Sequence, residues 1–366
     1  MKLSFTKTDF NNSINIVIKA VSSKTTMPIL KCILIDATKD SIRLFTNDMD
    51  LAIETIVPGN VIEKGAIALD ARIFSDIIRK LPDEYINIST DENLKTTISC
   101  GKAVFDIPGF DADEFPDAPD INANEEISLS QFTMKEMIRQ TIFSLDMNEN
   151  NKLMTGELFE IKDNVLRMVA LDGHRIAIRK LELAGSYENT KVIIPGKTLS
   201  EIGKLLSDNV DEQVKIILAE NHVVYEFAET KVYSRLIDGE YFHVDNMLRS
   251  DCNTKATVNK KEFQECIERA SLLIRDNEGT PIILNINDIT LDLSIKTSFG
   301  SMNEDINTEK SGEDIRIGFN PKYLIDALKV IDEENVTMYL LNAKAPCFIK
   351  NEEESYLYLI LPINII

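Results

Sequence analysis

The chain has 366 residues, a formal net charge of −20 and 44% hydrophobic residues. That is enough apolar material for two or three cores and too much for a disordered chain. The acidic balance argues against a protein that holds nucleic-acid phosphates over its whole surface, unless basic residues are concentrated on one face.

The first residues, "MKLSFTKTDF", lack the apolar stretch of a signal peptide. "LSFTKTDFNNSI" (3–14) alternates, turns polar and then takes a helical period, which predicts a helix over 8–24. "LDARIFSDIIRKL" (69–81) predicts a second helix over 72–80, and the alternating "YINIST" follows it. The acidic, proline-bearing "DADEFPDAPDINANEE" reads as a linker. The same order then returns. "ISLSQFTMKEMI" (127–138) opens a helix over 131–145, "IPGKTLSEIGKLL" (194–206) carries one over 197–206, and "VKIILA" alternates. Past a second linker, "NMLRSDCNTK", come "ATVNKKEFQECI" (helix over 260–275), "FNPKYLIDALKVI" (helix over 321–331) and "VTMYLL".

Phe10, Met134 and Phe263 fall in register, as do Ile14, Ile138 and Ile267, at offsets of 124 and 129. The second helices recur at an offset of 125 each time, each with a basic residue at its start: Arg72, Lys197 and Lys322. The predicted fold is therefore α+β, built of three modules (1–122, 123–250 and 251–366), each with two helices and antiparallel strands.

The five cysteines, Cys32, Cys100, Cys252, Cys266 and Cys347, are scattered and form no C-x-x-C pair. They read as reduced thiols of a cytoplasmic protein. The tail "YLYLILPINII" is too short, and too broken by Pro362 and Asn364, to span a bilayer, so no membrane partner is expected. "IPGKTL" resembles the end of a phosphate-binding loop, but Lys191 stands where its first glycine is required. The three histidines, His174, His222 and His243, lack metal-ligand spacing, so no cofactor or metal is expected.

The six predicted helices carry 15 basic and 8 acidic residues, a net +7, in a chain with 40 basic and 60 acidic residues overall. Ordinary solvated helix faces would account for this, since Lys and Arg are good helix formers. A basic helical surface that holds a polyanion through its phosphates would account for it as well.

"ALDGHRIAIRK" (170–180) places Asp172, Gly173, His174 and Arg175 together. Asp-Gly between alternating runs is a hairpin signal. The matching stretch in the first copy, "TNDMDLAI" (46–53), keeps the Asp but has Asp50 and Leu51 where His174 and Arg175 stand. The pair is thus an addition to one copy. No serine or cysteine nucleophile accompanies it, so catalysis is not expected. A structural His/Arg pair and a peptide-docking rim around the apolar tail both remain open.

"ALDGHRIA", "SRLIDGEY" (234–241), "IGFNPKYLIDAL" (317–328) and the ending "YLYLILPINI" resemble, over the whole chain, the bacterial sliding clamps, the β subunits of DNA polymerase III. The resemblance implies a homodimer closed head to tail into a six-module ring around double-stranded DNA. It implies as partners the replicative polymerase, the clamp loader, repair and translesion polymerases and mismatch repair proteins. They would share a groove that takes short peptides of glutamine, leucine and phenylalanine type. Carried over, that groove uses Met154, Leu171, Gly173, His174, Arg175, Ile176, Phe242, Met247, Leu359, Ile360, Leu361, Pro362 and Ile363. DNA contact falls to Lys24, Arg72, Lys152 and Lys197, and the dimer contact to Phe105, Leu272 and Leu273. The chain departs from the family pattern at Leu171, usually a small residue, and at Tyr241-Phe242-His243, where Phe-Pro is common. A basic residue is missing near Asn246, and Asn364-Ile365-Ile366 ends the chain where arginine is common. Lys152-Leu153 replaces an aromatic pair.

Overall fold

A computed structural model describes every residue except 23, 147, 149–150, 249–250, 276–278 and 366. The repeat is visible in its helix caps. Helices α1 (Lys7–Val17), α3 (Gln131–Arg139) and α5 (Lys260–Ser271) open each repeat. Ahead of them stand Thr6, Ser130 and Asn259, whose side-chain oxygens accept from the backbone N–H three residues on, at 3.2, 3.1 and 3.1 Å. Short oxygen-bearing side chains serve here because the first helical N–H groups have no carbonyl partner of their own. The second helices are α2 (Ala71–Lys80), α4 (Gly196–Leu205) and α6 (Pro321–Val330). Asp70 caps α2 in the same manner, and Asn320 caps α6 by accepting from the N–H two residues on. In α4 a glycine replaces a bulkier start, because a Cβ on Gly196 would lie 2.9 Å from the Thr155 carbonyl and 2.3 Å from Leu145. That close approach, not phosphate binding, explains Gly196. Phe10, Met134 and Phe263, the residues that align across the copies, are all fully buried.

Sheets join the repeats instead of separating them. One sheet runs Asn60–Glu63, Lys2–Thr6, Tyr85–Thr90, Lys95–Cys100, Ala103–Pro108, all from the first repeat. A second runs Glu125–Ser130, Gln213–Leu218, His222–Phe227, Thr230–Arg235, then Leu51–Val57, Ile42–Asn47, Cys32–Asp36 and Ala66–Asp70. It passes from the second repeat to the first where Thr230 pairs with Thr55 and Ser234 with Leu51. The third runs Thr190–Pro195, Gly156–Lys162, Val165–Leu171, Arg175–Glu182, Tyr356–Ile360, Cys347–Lys350, Asn335–Leu340, Thr254–Asn259, Gly300–Gly312, Thr290–Thr297, Ile282–Ile286 and Ile315–Phe319. It passes from the second repeat to the third where Arg175 pairs with Ile360 and Ile176 with Leu359. All of these pairs are antiparallel.

The described chain packs as two compact units. One is Met1–Lys135 with Glu201–Leu236; the other is Glu136–Ser200 with Ile237–Ile366. Three predicted helices are also shorter than expected, α5 ending at Ser271 instead of 275. Helix α1 passes into a 3-10 turn at Ile18–Ala20, which leaves Lys24 beyond it. Helix α3 stops at Arg139, near Thr141, whose hydroxyl lies 2.8 Å from the Met137 carbonyl and 2.9 Å from the Glu157 carboxylate. The first predicted linker is not loose: Phe115 is buried and meets the Phe45 ring edge-on at 5.7 Å. Arg249 and Ser250 of the second predicted linker, and the terminal Ile366, lie outside the described residues.

Candidate peptide-docking site

The Asp-Gly turn closes the hairpin between Val165–Leu171 and Arg175–Glu182, with Leu171 opposite Ile176 as its last pair. Asp172 Oδ1 accepts from the backbone N–H of His174 (3.0 Å) and of Arg175 (3.1 Å). Gly173 has φ +84°, and a Cβ there would meet nothing, so the glycine is required for its backbone angle and not for space. The first copy repeats this turn. Asp48 Oδ1 accepts from the N–H of Asp50 (3.1 Å) and of Leu51 (2.7 Å), with Met49 at φ +79°. The backbone geometry therefore forms without a histidine or an arginine.

Arg175 is only 6% exposed. Its Nε donates to Asp172 Oδ2 (2.9 Å), Nη1 to Asp326 Oδ2 (2.7 Å) and Nη2 to the Phe143 carbonyl (2.6 Å). The guanidinium lies 4.6 Å from the Tyr323 ring centroid and 5.4 Å from that of Phe143. This is a planar cation with carboxylate partners and aromatic faces, the combination that makes a buried arginine tolerable. His174 is exposed, its ring 5.9 Å from that of Tyr323. The two residues that adjoin in sequence thus divide: His174 faces solvent, Arg175 faces inward.

Beside the turn lies an apolar cluster containing Leu171, Ile176 and Leu359, with Val169, Tyr241, Val244 and Phe348. Met154 and Phe242 pack against it half-buried. Tyr241 is held by its hydroxyl, which donates to the Val169 carbonyl at 3.2 Å, and burial pushes its phenol pKa up. The tail borders this cluster. Leu361 N–H donates to the His174 carbonyl (2.9 Å), and Ile363 N–H to the Gly318 carbonyl (2.8 Å). Leu361 is 38% exposed and Met247 49%, while Pro362 and Ile363 are partly exposed. Ile360 is a correction. Strand alternation turns it to the other face, where it is 1% exposed in the third-repeat core with Tyr356 and Tyr358. Tyr323, Asp326 and Phe143 were missed in sequence. The first two lie within "NPKYLIDAL", whose helical period hid their polar role.

Lys24, Arg72, Lys152 and Lys197 are all exposed. Arg72, Lys197 and Lys322 each stand at the second position of their helix, at the positive end of its dipole. A cation is unfavourable there, so helix stability does not explain these residues. Of the basic residues in the helix count, Lys135 pairs with Asp208, Arg139 with Asp332 and Arg269 with Glu304, all acids outside the six predicted helices. The count of +7 overstates the charge left over for a partner. Among the proposed contact residues, Phe105 is 39% exposed on Ala103–Pro108, the last strand of its sheet, and Leu272 is 81% exposed. Leu273 is half-buried against the third-repeat core.

Three family domains match in tandem: the N-terminal domain of the DNA polymerase III beta subunit over residues 1–119, its central domain over 128–243 and its C-terminal domain over 246–364. The chain belongs to the DNA polymerase III beta subunit family. The Beta sliding clamp of Staphylococcus epidermidis is 35% identical over 375 residues, covering 100% of this chain and 99% of that protein. That of Staphylococcus aureus is 34% identical with the same coverage. A crystal structure from Eubacterium rectale under the DNA polymerase III beta subunit name is 56% identical, with a TM-score of 0.97 over 100% of this chain and 99% of that one. The DNA polymerase sliding clamp from Bacillus subtilis is 34% identical, with a TM-score of 0.97 over 100% of both chains. A sliding clamp is the role this membership supports, on the α+β clamp fold expected from the repeats. No helix of the described residues is long and apolar enough to cross a membrane.

Proposed function

We propose that two copies of this chain close into a ring of six modules (1–122, 123–250 and 251–366 from each) that encircles double-stranded DNA and tethers the replicative polymerase to it. The observation that carries the proposal is the tandem match of all three clamp domains over the full chain. Two features of the fold support it. The edge strand Ala103–Pro108 presents Val104 (63% exposed) and Phe105, and among the described residues 300–307 pair on one side only, with Thr290–Thr297. A free edge at each end of the chain suits a head-to-tail joint that closes on itself. Arg72, Lys197 and Lys322 at equivalent helix starts suit weak, sequence-independent phosphate contact. Retention would then be topological, and binding need not be tight.

The chain performs no catalysis on this proposal. The turn, the apolar cluster and the tail form a docking groove in which Met154, Leu171, Ile176, Phe242, Met247, Leu359, Leu361, Pro362 and Ile363 receive apolar anchors, with His174 on the rim. The clamp loader, repair and translesion polymerases and mismatch repair proteins would use the same groove in the cytoplasm. The test is to load the protein onto a nicked plasmid with its loader and ATP, isolate the complex and linearise it. Release on cutting is the expected result; persistence on the linear product would overturn the ring.

A further inference from the structure

We propose that Asp326 is a positioning residue for the groove: through the buried Arg175 it fastens helix α6 to the Asp172 turn, and so sets the spacing of His174 and Tyr323 on the groove wall. The proposal rests on the docking function above and adds how that site is held.

Three observations carry it. First, Arg175 is not needed to build its own turn. The first copy makes the same turn with Leu51 in that place, using the same pair of hydrogen bonds to an aspartate. Second, Arg175 is already engaged on all three of its nitrogens, by Asp172, Asp326 and the Phe143 carbonyl, and is 6% exposed. That leaves little of the guanidinium open to a partner peptide. Third, the residues it connects come from distant parts of the chain, Asp326 being 151 positions away. Asp326 shares α6 with Tyr323, one turn earlier, and the Tyr323 ring sits between the Arg175 guanidinium at 4.6 Å and the His174 ring at 5.9 Å. Separate hydrogen bonds from Nε to Asp172 and from Nη1 to Asp326 fix the plane of the guanidinium as well as its position. The Tyr323 and His174 rings, tilted 33° to each other, then inherit that placement.

The experiment uses the full-length protein, with D326N as an isosteric change and R175K as a second variant that keeps a cation but loses the fork. A fluorescent synthetic peptide bearing glutamine, leucine and phenylalanine is the probe. Its affinity is measured at low and high salt, and the imidazole resonances of His174 are followed by NMR without peptide. Both variants are expected to weaken the probe about tenfold, the scale of a coupling between distinct sites, and to move the His174 resonances. The loss should be the same at both salt concentrations, because a buried pair is poorly screened. Probe affinity within twofold of the parent together with unmoved His174 resonances would overturn the proposal. So would a loss in R175K that disappears at high salt, which would make Arg175 a direct contact. If the parent itself fails to bind while the resonances still move, the docking function fails and the positioning of His174 stands.

Discussion

Glu157 offers the most direct test of the folded interior. It is 0% exposed on the strand Gly156–Lys162. One carboxylate oxygen lies 2.9 Å from the Thr141 hydroxyl, and the other has no hydrogen-bond partner. Burial pushes its pKa from 4.5 up to about 8, and the Thr141 hydroxyl only partly opposes this. The folded protein therefore holds a proton that the unfolded chain releases above about 4.5. Stability conferred by the neutral form is fully present below that value and is lost as pH rises toward about 8. The slope in this window reaches about 1.4 kcal/mol per pH unit from this group alone. E157Q keeps the shape and removes the titration. Urea unfolding of both proteins at pH 5, 6.5 and 8 isolates the effect, because other titrating groups cancel in the difference. The glutamine variant should match the parent at pH 5 and gain on it steadily toward pH 8. A difference that stays constant with pH would mean that the carboxylate is ionised inside the fold, and the burial argument would be wrong.

Three further outcomes are expected. L273D places a charge beside the exposed Leu272 and should convert the dimer to monomers by light scattering; a dimer that persists would remove these leucines from the joint. M49G relieves a left-handed residue at φ +79° and should stabilise by about 1 kcal/mol, whereas G173A at φ +84° should destabilise by about as much; equal melting temperatures in both variants would refute the shared turn. Charge reversal of Arg72, Lys197 and Lys322 together should shorten retention on circular DNA while leaving dimer assembly intact, and unchanged retention would take them out of the DNA path.

The repeat was legible because it rests on local chemistry. Thr6, Ser130 and Asn259 are caps, and caps are chosen by the first turn of a helix alone. The Asp172-Gly173 turn was legible for the same reason. What escaped depends on partners remote in the chain. Lys135 and Arg139 count as available charge in the sequence, yet Asp208 and Asp332, outside the six predicted helices, neutralise them from 73 and 193 positions away. Arg175 looked like a rim residue until Asp326 arrived from the third repeat. Ile360 was misplaced for a simpler reason: in the strand Tyr356–Ile360 only Leu357 and Leu359 share the groove cluster, and alternation already assigns Ile360 to the opposite face. The strand pairs Thr55 with Thr230, and Ile176 with Leu359, cross the repeat borders, and no local pattern in the sequence announces them.

A threefold scaffold with one docking site requires that the copies differ where it matters. The first copy has the turn, the strand joint and an equivalent apolar cluster. Tyr233 pairs there with Ala52 as Leu359 pairs with Ile176. It also has the equivalent tether, since Arg235 N–H donates to the Asp50 carbonyl as Leu361 N–H does to that of His174. Its side chains are wrong for an apolar anchor. Asn47 stands where Leu171 does, and its amide donates to the Asp117 carbonyl at 3.4 Å, so a peptide lying there would have to break a polar contact. Ala52 replaces Ile176 and offers less apolar area. Leu51 replaces Arg175, so nothing like the Asp326 tie can form. The proposed docking site is thus the common turn plus a few substitutions, which on this reading either add apolar floor or fix the wall. Restoring the first-copy residues at 171, 175 and 176 should abolish peptide binding while the hairpin still forms, because its backbone has been tested in the same molecule without them.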